Sequence, residues 1–440
     1  MSIISKSLIR SLSIYSLGNI INAAVPFLLL PFLTNYLSKE DYGIIAMFQV
    51  IMSFLNPISG VSLQGAITRK YFFIKDKPEK FSRYVSTGTL FITLISALLL
   101  VIMILLKEQL SSITEFPAEW IWVILVCSFT HNIIEVLLAI WRVKLKAGKY
   151  VIFRISRTII EMALSIVLII YIQSSWESRI DGVLYSSLGF AIISLAILYS
   201  SKYLNISFKL DKSDLKDFLK YGVPLIPHAI GVVFISMADR LFLTNMISIE
   251  ETGLYAVGFQ IAQIIGLVQN SFNQAWVPQF FDKLRSNDSK INLGIVKFTY
   301  LYFAGMLVLV GFLSISSPLI YSWFIGEEFS SSIKYVFLIS LGFAFNGMYK
   351  MVVNYFFYLN KTKVVALITV ITAVINITMN YFFILHYGAI GCAWATALSF
   401  LIQFLLVWII SQRYYPMPWG YFLGNKTNES SEDDRSHKKD

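Results

Sequence analysis

The sequence predicts an all-α integral membrane protein of about twelve transmembrane helices, arranged as two parallel six-helix repeats. Three observations carry that expectation. Of 440 residues, 56% are hydrophobic and only 14% are charged, whereas a water-soluble chain carries roughly 25% charge. Lysine and arginine crowd onto alternate loops, and a shift of 210 residues lays the second half of the chain on the first.

A bilayer core admits helices of about 20 apolar residues, because every backbone N–H and C=O must be bonded within its own segment. Twelve such stretches run at about 12–36, 42–64, 84–106, 120–141, 152–172, 182–200, 222–246, 254–276, 296–317, 335–359, 364–385 and 389–411. Asn19, Asn22, Pro26 and Pro31 interrupt the first, which lacks a small-residue cleavage site and reads as a retained helix. Cys127 and Cys392 fall inside helices, and two isolated thiols provide neither a disulfide framework nor a metal cluster. No metal and no cofactor is expected.

The first tail, the loops after stretches 2, 4, 6, 8 and 10, and the last tail hold 29 of the 36 basic residues. The opposite loops hold Lys39, Lys107, Arg179 and Lys334, and Arg157, Arg240 and Lys350 lie within helices. Basic loops stay cytoplasmic, so both termini are expected on the cytoplasmic side of the membrane. The net charge of +10 therefore describes loop topology rather than a nucleic-acid surface.

Under the 210-residue shift Thr34, Asn35, Ser38, Glu40, Gly43, Ala46 and Gln64 meet Thr244, Asn245, Ser248, Glu250, Gly253, Ala256 and Gln274. Six helices per repeat leave both halves in one orientation, related by an axis along the membrane normal. The expected bodies are 1–204 and 205–423, followed by a polar cytoplasmic tail at 424–440 that reads as disordered. Lys209, Asp211, Lys212, Asp214, Lys216 and Asp217 mark the linker as a short amphipathic surface segment. Pro26, Pro31, Pro57, Pro224 and Pro227 are expected to bend the first, second and seventh helices as hinges for alternating access.

No loop has room for a soluble catalytic or ATPase domain, and no G-x-x-x-x-G-K-[ST] loop occurs. A transporter rather than an enzyme is expected, driven by an ion gradient, the substrate's own gradient or a partner chain. Gln260, Gln263, Asn270 and Gln274 share one face of the eighth stretch, and Gln49, Ser53, Asn56, Gly60 and Gln64 share one face of the second. Amides both donate and accept, so two such stripes suit a cleft for hydroxyl-rich sugars. They equally suit hydrogen-bonded glue between helices.

Charges inside helices are costly and tend to face a cavity or each other. Glu135 is expected to pair with Arg157, with Glu161 one turn beyond able to share the pair, as a structural network or a proton or substrate site. His131, one turn from Glu135, could titrate near neutral pH but reads more simply as a helix contact. Asp239 shares a face with His228 and is either an ion-binding carboxylate or, with Arg240, an interfacial pair. Lys350, flanked by Asn346 and Asn354, has no acid at its depth, so it either meets an anionic group or snorkels to the surface. The substrate-binding candidates are therefore Gln49, Asn56, Gln64, Gln260, Gln263, Asn270, Gln274, Arg240 and Lys350, and the ion-coupling candidates Asp239, Glu135 and Glu161.

LLLPFLTNYLSKEDYG at 28–43, YGVPLIP at 221–227, the Asp239 and Arg240 pair, EETGLYAVGFQIAQ at 250–263 and INITMNYFFILHYGAIGCAWATALS at 375–399 together resemble Wzx-type polysaccharide flippases. These are MATE-like members of the multidrug, oligosaccharidyl-lipid and polysaccharide exporter superfamily. The resemblance spans nearly the whole chain and implies a V-shaped pair of bundles working by alternating access. It implies an undecaprenyl-pyrophosphate-linked oligosaccharide as substrate, flipped for O-antigen or capsule assembly, with membrane lipids and the pathway's polymerase and chain-length proteins as partners. An ion-coupled multidrug or cation antiporter, or another lipid-linked-glycan flippase of the superfamily, is the alternative.

Overall fold

The computed structural model describes residues 6–205, 210–285, 288–359 and 361–420, which are helical throughout their ordered elements. The expected tail at 424–440 and Lys209 of the linker lie outside the described residues. The first half comprises α1 (Lys6–Tyr36), α2 (Lys39–Gly60), α3 (Leu63–Ile74), α4 (Pro78–Leu105), α5 (Lys107–Thr114), α6 (Ile121–Val143), α7 (Ala147–Tyr171) and α8 (Trp176–Ser200). The linker helix α9 (Lys212–Gly222) leads to α10 (Leu225–Met246), α11 (Ile249–Arg285), α12 (Ser289–Phe324), α13 (Ile333–Tyr358), α14 (Thr362–Tyr387) and α15 (Ile390–Tyr414). Apart from α3, α5 and α9 these are the twelve expected spans. Among the described residues ten spans are long and apolar enough to cross a bilayer outright, and Ala24–Tyr36 of α1 is a shorter apolar stretch; α7 falls short because Arg154, Arg157 and Glu161 lie along it.

Local chemistry repeats between the halves. Ser38 caps α2, its hydroxyl accepting from the Asp41 N–H at 3.1 Å while the Asp41 carboxylate accepts from the Ser38 N–H at 3.0 Å. Ser248 starts α11 in the same way, accepting from the Glu251 N–H at 3.2 Å. Short 3₁₀ turns at Ala118–Trp120 and Glu327–Ser332 precede α6 and α13 at equivalent places.

The repeat is not exact: α12 runs unbroken where α4 and α5 part at Leu106, and α1 runs unbroken where α9 and α10 part at Val223 and Pro224. Val61 and Ser62 adopt left-handed backbone, φ 44° and 53°, separating α2 from α3, whereas α11 runs unbroken through the equivalent positions. Gly222 fills that break, where a Cβ would lie 2.1 Å from the Val61 carbonyl oxygen. The expected proline bends are also uneven. Pro26, Pro31 and Pro57 lie inside α1 and α2, but Pro224 caps α10 and Pro227 falls in its first turn, where no intrahelical N–H is lost. Pro278 in α11 and Pro318 in α12 are the interior prolines of the second half.

In the first half α6 packs against α2, α3, α4 and α8, and α7 lies against α1 and α8; in the second, α13 is the hub for α11, α12 and α15, and α10 leans on α14. The halves meet through α2 with α10 and α11, and through α1 with α11. That seam closes on the face opposite the basic loops. A Cβ on Gly43 would lie 2.1 Å from the Ile249 carbonyl oxygen, and one on Gly253 would lie 2.1 Å from the Lys39 carbonyl oxygen. Lys39 and Ile249 are themselves 210 residues apart, so the contact is reciprocal, as an approximate two-fold axis requires. Asn245 Nδ2 donates to the Ile113 carbonyl at 2.7 Å and the Gly326 N–H donates to Thr34 Oγ1 at 3.0 Å, tying α10 to α5 and the connection before α13 to α1. Nearer the basic face Gln263, Asn270 and Gln274 of α11 are exposed, and the V is open there.

Candidate functional site

Two cavities lie along the V. The apex cavity, about 380 Å³, sits between the halves and is lined by Asn22 of α1, Gln49 of α2, Arg179 of α8, Arg240 of α10 and Gln260 and Gln263 of α11. Gln260 bridges the halves, accepting from the Tyr42 hydroxyl at 2.8 Å and donating to the Pro26 carbonyl at 3.1 Å. Gln49 and Gln263 keep exposed side chains in the cavity.

Both apex guanidiniums are neutralised. Arg179 donates to Glu161 at 3.1 Å and to the Ser165 hydroxyl at 2.8 Å. Arg240, 5% exposed, contacts Asp239 at 3.1 Å and rides over the Phe259 ring at 4.2 Å. Asp239 faces the packing of the second half rather than the cleft, and the Tyr255 hydroxyl donates to it at 2.7 Å.

These pairings differ from the expected ones. Glu135 lies 3.8 Å from Arg142, two turns along its own helix, rather than pairing with Arg157. Glu161 meets Arg179 instead, because α8 begins at Trp176 and draws Arg179, expected on a loop, into the helix bundle. Among the described residues Arg157 makes no ion pair.

The amide stripe on α2 divides. Asn56 Oδ1 accepts from Ser128 at 2.7 Å, and Ser59 joins Ser128 at 2.8 Å and Asn132 at 2.9 Å, so this part of the stripe glues α2 to α6. Gln64, now on α3, and Gln274, exposed on α11, line neither cavity.

The second cavity, about 880 Å³, lies within the second half between α10, α11, α13, α14 and α15. Its polar lining includes His228, Asn270, Lys350, Lys363, Gln269 and Gln403 and, among the described residues, no carboxylate. Lys350 Nζ donates to Asn270 Oδ1, and among the described residues it makes no ion pair. Gln269 Nε2 donates to Asn346 Oδ1 at 3.0 Å. Sequence reasoning missed Gln269, Gln403 and Lys363. Gln269 sits off the amide stripe and Lys363 counted as a loop residue; the usable signal was Gln403, a lone amide in a long apolar helix. Cationic and amide donors without a carboxylate make this cavity receptive to an anion.

Residues 8–283 match the polysaccharide biosynthesis protein family. The chain belongs to that family. Among its relatives, a protein of the Lsg locus of Haemophilus influenzae is 26% identical over 370 residues, covering 83% of this chain and 88% of that one. A Shigella flexneri protein named as an O-antigen transporter is 19% identical over 418 residues, covering 90% of this chain and 97% of that one. Among solved structures, an inward-facing MATE-family multidrug transporter of the MOP superfamily superposes with a TM-score of 0.72 at 14% identity, covering 91% and 94% of the two chains. The inward closed lipid II flippase MurJ gives 0.68 at 15% identity, covering 92% and 86%. This member of the polysaccharide biosynthesis family thus has the MOP-superfamily fold.

Proposed function

We propose that the protein is a flippase that moves undecaprenyl-pyrophosphate-linked oligosaccharide repeat units from the cytoplasmic to the periplasmic leaflet of a bacterial inner membrane. The flipped units would feed a polymerase and chain-length proteins that build O-antigen or capsule. One observation carries the reading: a cavity holding Lys350, Lys363 and His228, with no carboxylate among its described lining residues, lies beside an apex whose free polar groups are amides. The first suits a pyrophosphate and the second suits sugar hydroxyls. The names of the Shigella relative and of a Haloferax volcanii glycan biosynthesis flippase, 21% identical over 396 residues, support the cargo class.

In this reading the basic face is cytoplasmic, and the bodies 1–204 and 205–423 rock against each other, parting the reciprocal glycine contact when the opposite face opens. Glu161 and Glu135 are the better ion-coupling candidates, since Asp239 is covered by Tyr255 and Arg240. Deleting the gene should abolish or reduce a surface glycan and leave lipid-linked repeat units in the cytoplasmic leaflet. Normal glycan with raised drug or dye sensitivity would overturn the proposal in favour of a multidrug antiporter.

A further inference from the structure

The linker helix α9, KSDLKDFLKYG, divides its charges by sign. Its acids face the first half. Asp211 caps the helix, accepting from the Ser213 and Asp214 N–H groups at 3.0 and 2.9 Å. Arg83 Nε lies 2.9 Å from Asp214 and 3.5 Å from Asp211. Asp217 takes Arg69 at 2.8 Å, Lys70 at 3.4 Å and the Tyr84 hydroxyl at 3.1 Å. Phe218 is buried against Phe91 between these ion pairs. All three carboxylates of the linker are thereby spent on α3 and α4.

The lysines remain. Lys212, Lys216 and Lys220 are exposed, and among the described residues none makes an ion pair. At four-residue spacing they fall within an arc of about 80°. Half-buried Leu215 and Leu219 run beside them, and these five residues alone line a shallow surface hollow. Three ammonium groups over an apolar floor, with no carboxylate among the described lining residues, match a ligand with an anionic head and a hydrocarbon stem. Free phosphate has the head without the stem.

We propose that this face of α9 is a binding site for acidic phospholipid headgroups of the adjacent leaflet. The helix is then a clamp with two grips, its aspartates on the protein and its lysines on the lipid. Gly222, seated in the break between α2 and α3, places that anchor against a transmembrane helix of the first repeat that departs from its counterpart. The site is separate from the transport cleft and stands whether or not the flippase reading does.

Because Cys127 and Cys392 are buried, Ser213→Cys in the full chain offers a single exposed position for an environment-sensitive fluorophore beside the lysines. Dioctanoyl phosphatidylglycerol should change its emission saturably, with an affinity that weakens as salt rises. Dioctanoyl phosphatidylcholine and inorganic phosphate should leave it unchanged at the same concentrations. Adding K212Q, K216Q and K220Q should move the midpoint to about 100-fold higher phosphatidylglycerol, at about fivefold per lysine, without altering the thermal midpoint in phosphatidylcholine. An unchanged midpoint in the triple variant, an equal response to phosphatidylcholine, or displacement of the lipid by inorganic phosphate would each overturn the proposal.

Discussion

Lys350 and Arg240 are both cations within bilayer-spanning helices, yet their surroundings assign them different work. Arg240 is locked to Asp239 and to the Phe259 ring, so Arg240→Ala strands a buried carboxylate at a cost of about 3–5 kcal/mol. Its expected signature is low membrane abundance, read by immunoblot. Lys350 has an amide rather than a carboxylate as its partner. Lys350→Ala should therefore leave abundance normal while surface glycan falls by about tenfold or more, one lost charge-assisted contact being about 1.5–3 kcal/mol, and Lys350→Arg should retain part. Full glycan in Lys350→Ala at normal abundance would remove it from the site. Among the acids, Glu161→Ala should lower abundance more than Glu135→Ala, because Arg179 is 12% exposed and Arg142 is 45% exposed.

At the scale of elements, the crossing of α2 and α11 depends on two glycines that are partners under the repeat. Any side chain at Gly43 or Gly253 would collide with a backbone carbonyl of the other helix, which cannot swing away as a side-chain tip would. Gly43→Leu and Gly253→Leu should each hold the face opposite the basic loops open, and to a similar degree. A cysteine placed at Gln263 would then become reactive to an impermeant reagent from that face; protection equal to that in the parent would refute the gate. The linker offers a test in pH. The Asp214 backbone N–H, together with the Arg83 guanidinium, holds Asp211 below its ordinary value of 3.8. Its contribution is present above that value and lost as pH falls through the lowered one. The Asp211 cap on α9 should loosen as pH falls below 3.8, and hydrogen exchange across Lys212–Gly222 would show it.

For the whole molecule, the closed seam and the open basic side are, on the proposed flippase reading, one end of an alternating-access cycle. Glu115 is exposed outside the spans at that seam, where partial desolvation, with Glu250 and Glu40 nearby, raises its carboxyl above the usual range. The closed arrangement is thus favoured when Glu115 is protonated and loses that advantage as pH rises through the raised value. Acidifying the face that carries it should increase protection of a Gln263→Cys probe, and Glu115→Gln should abolish the pH dependence. Sidedness has its own check: reporter fusions after Leu37, Lys107 and Glu328 should report periplasm, and those near Lys75, Lys146 and Lys361 cytoplasm.

What the sequence determined by itself was everything that depends on one helix at a time. Apolar length sets the spans, Ser38 and Ser248 start equivalent helices, and the 210-residue register carries Gly43 onto Gly253, because these are short-range properties of residue type and spacing. The amide stripes were legible as stripes, but not which amides would be free. Only the tertiary structure decided that Asn56 is tied to Ser128 while Gln263 is exposed, that Glu161 meets Arg179, and that Asp239 turns toward Tyr255. It also decided that α2 breaks at Val61 where Gly222 docks. The reason is geometric: helical periodicity fixes which residues share a face, but the rotation and depth of each helix come from packing against the others. A charge is neutral or free according to those two quantities alone.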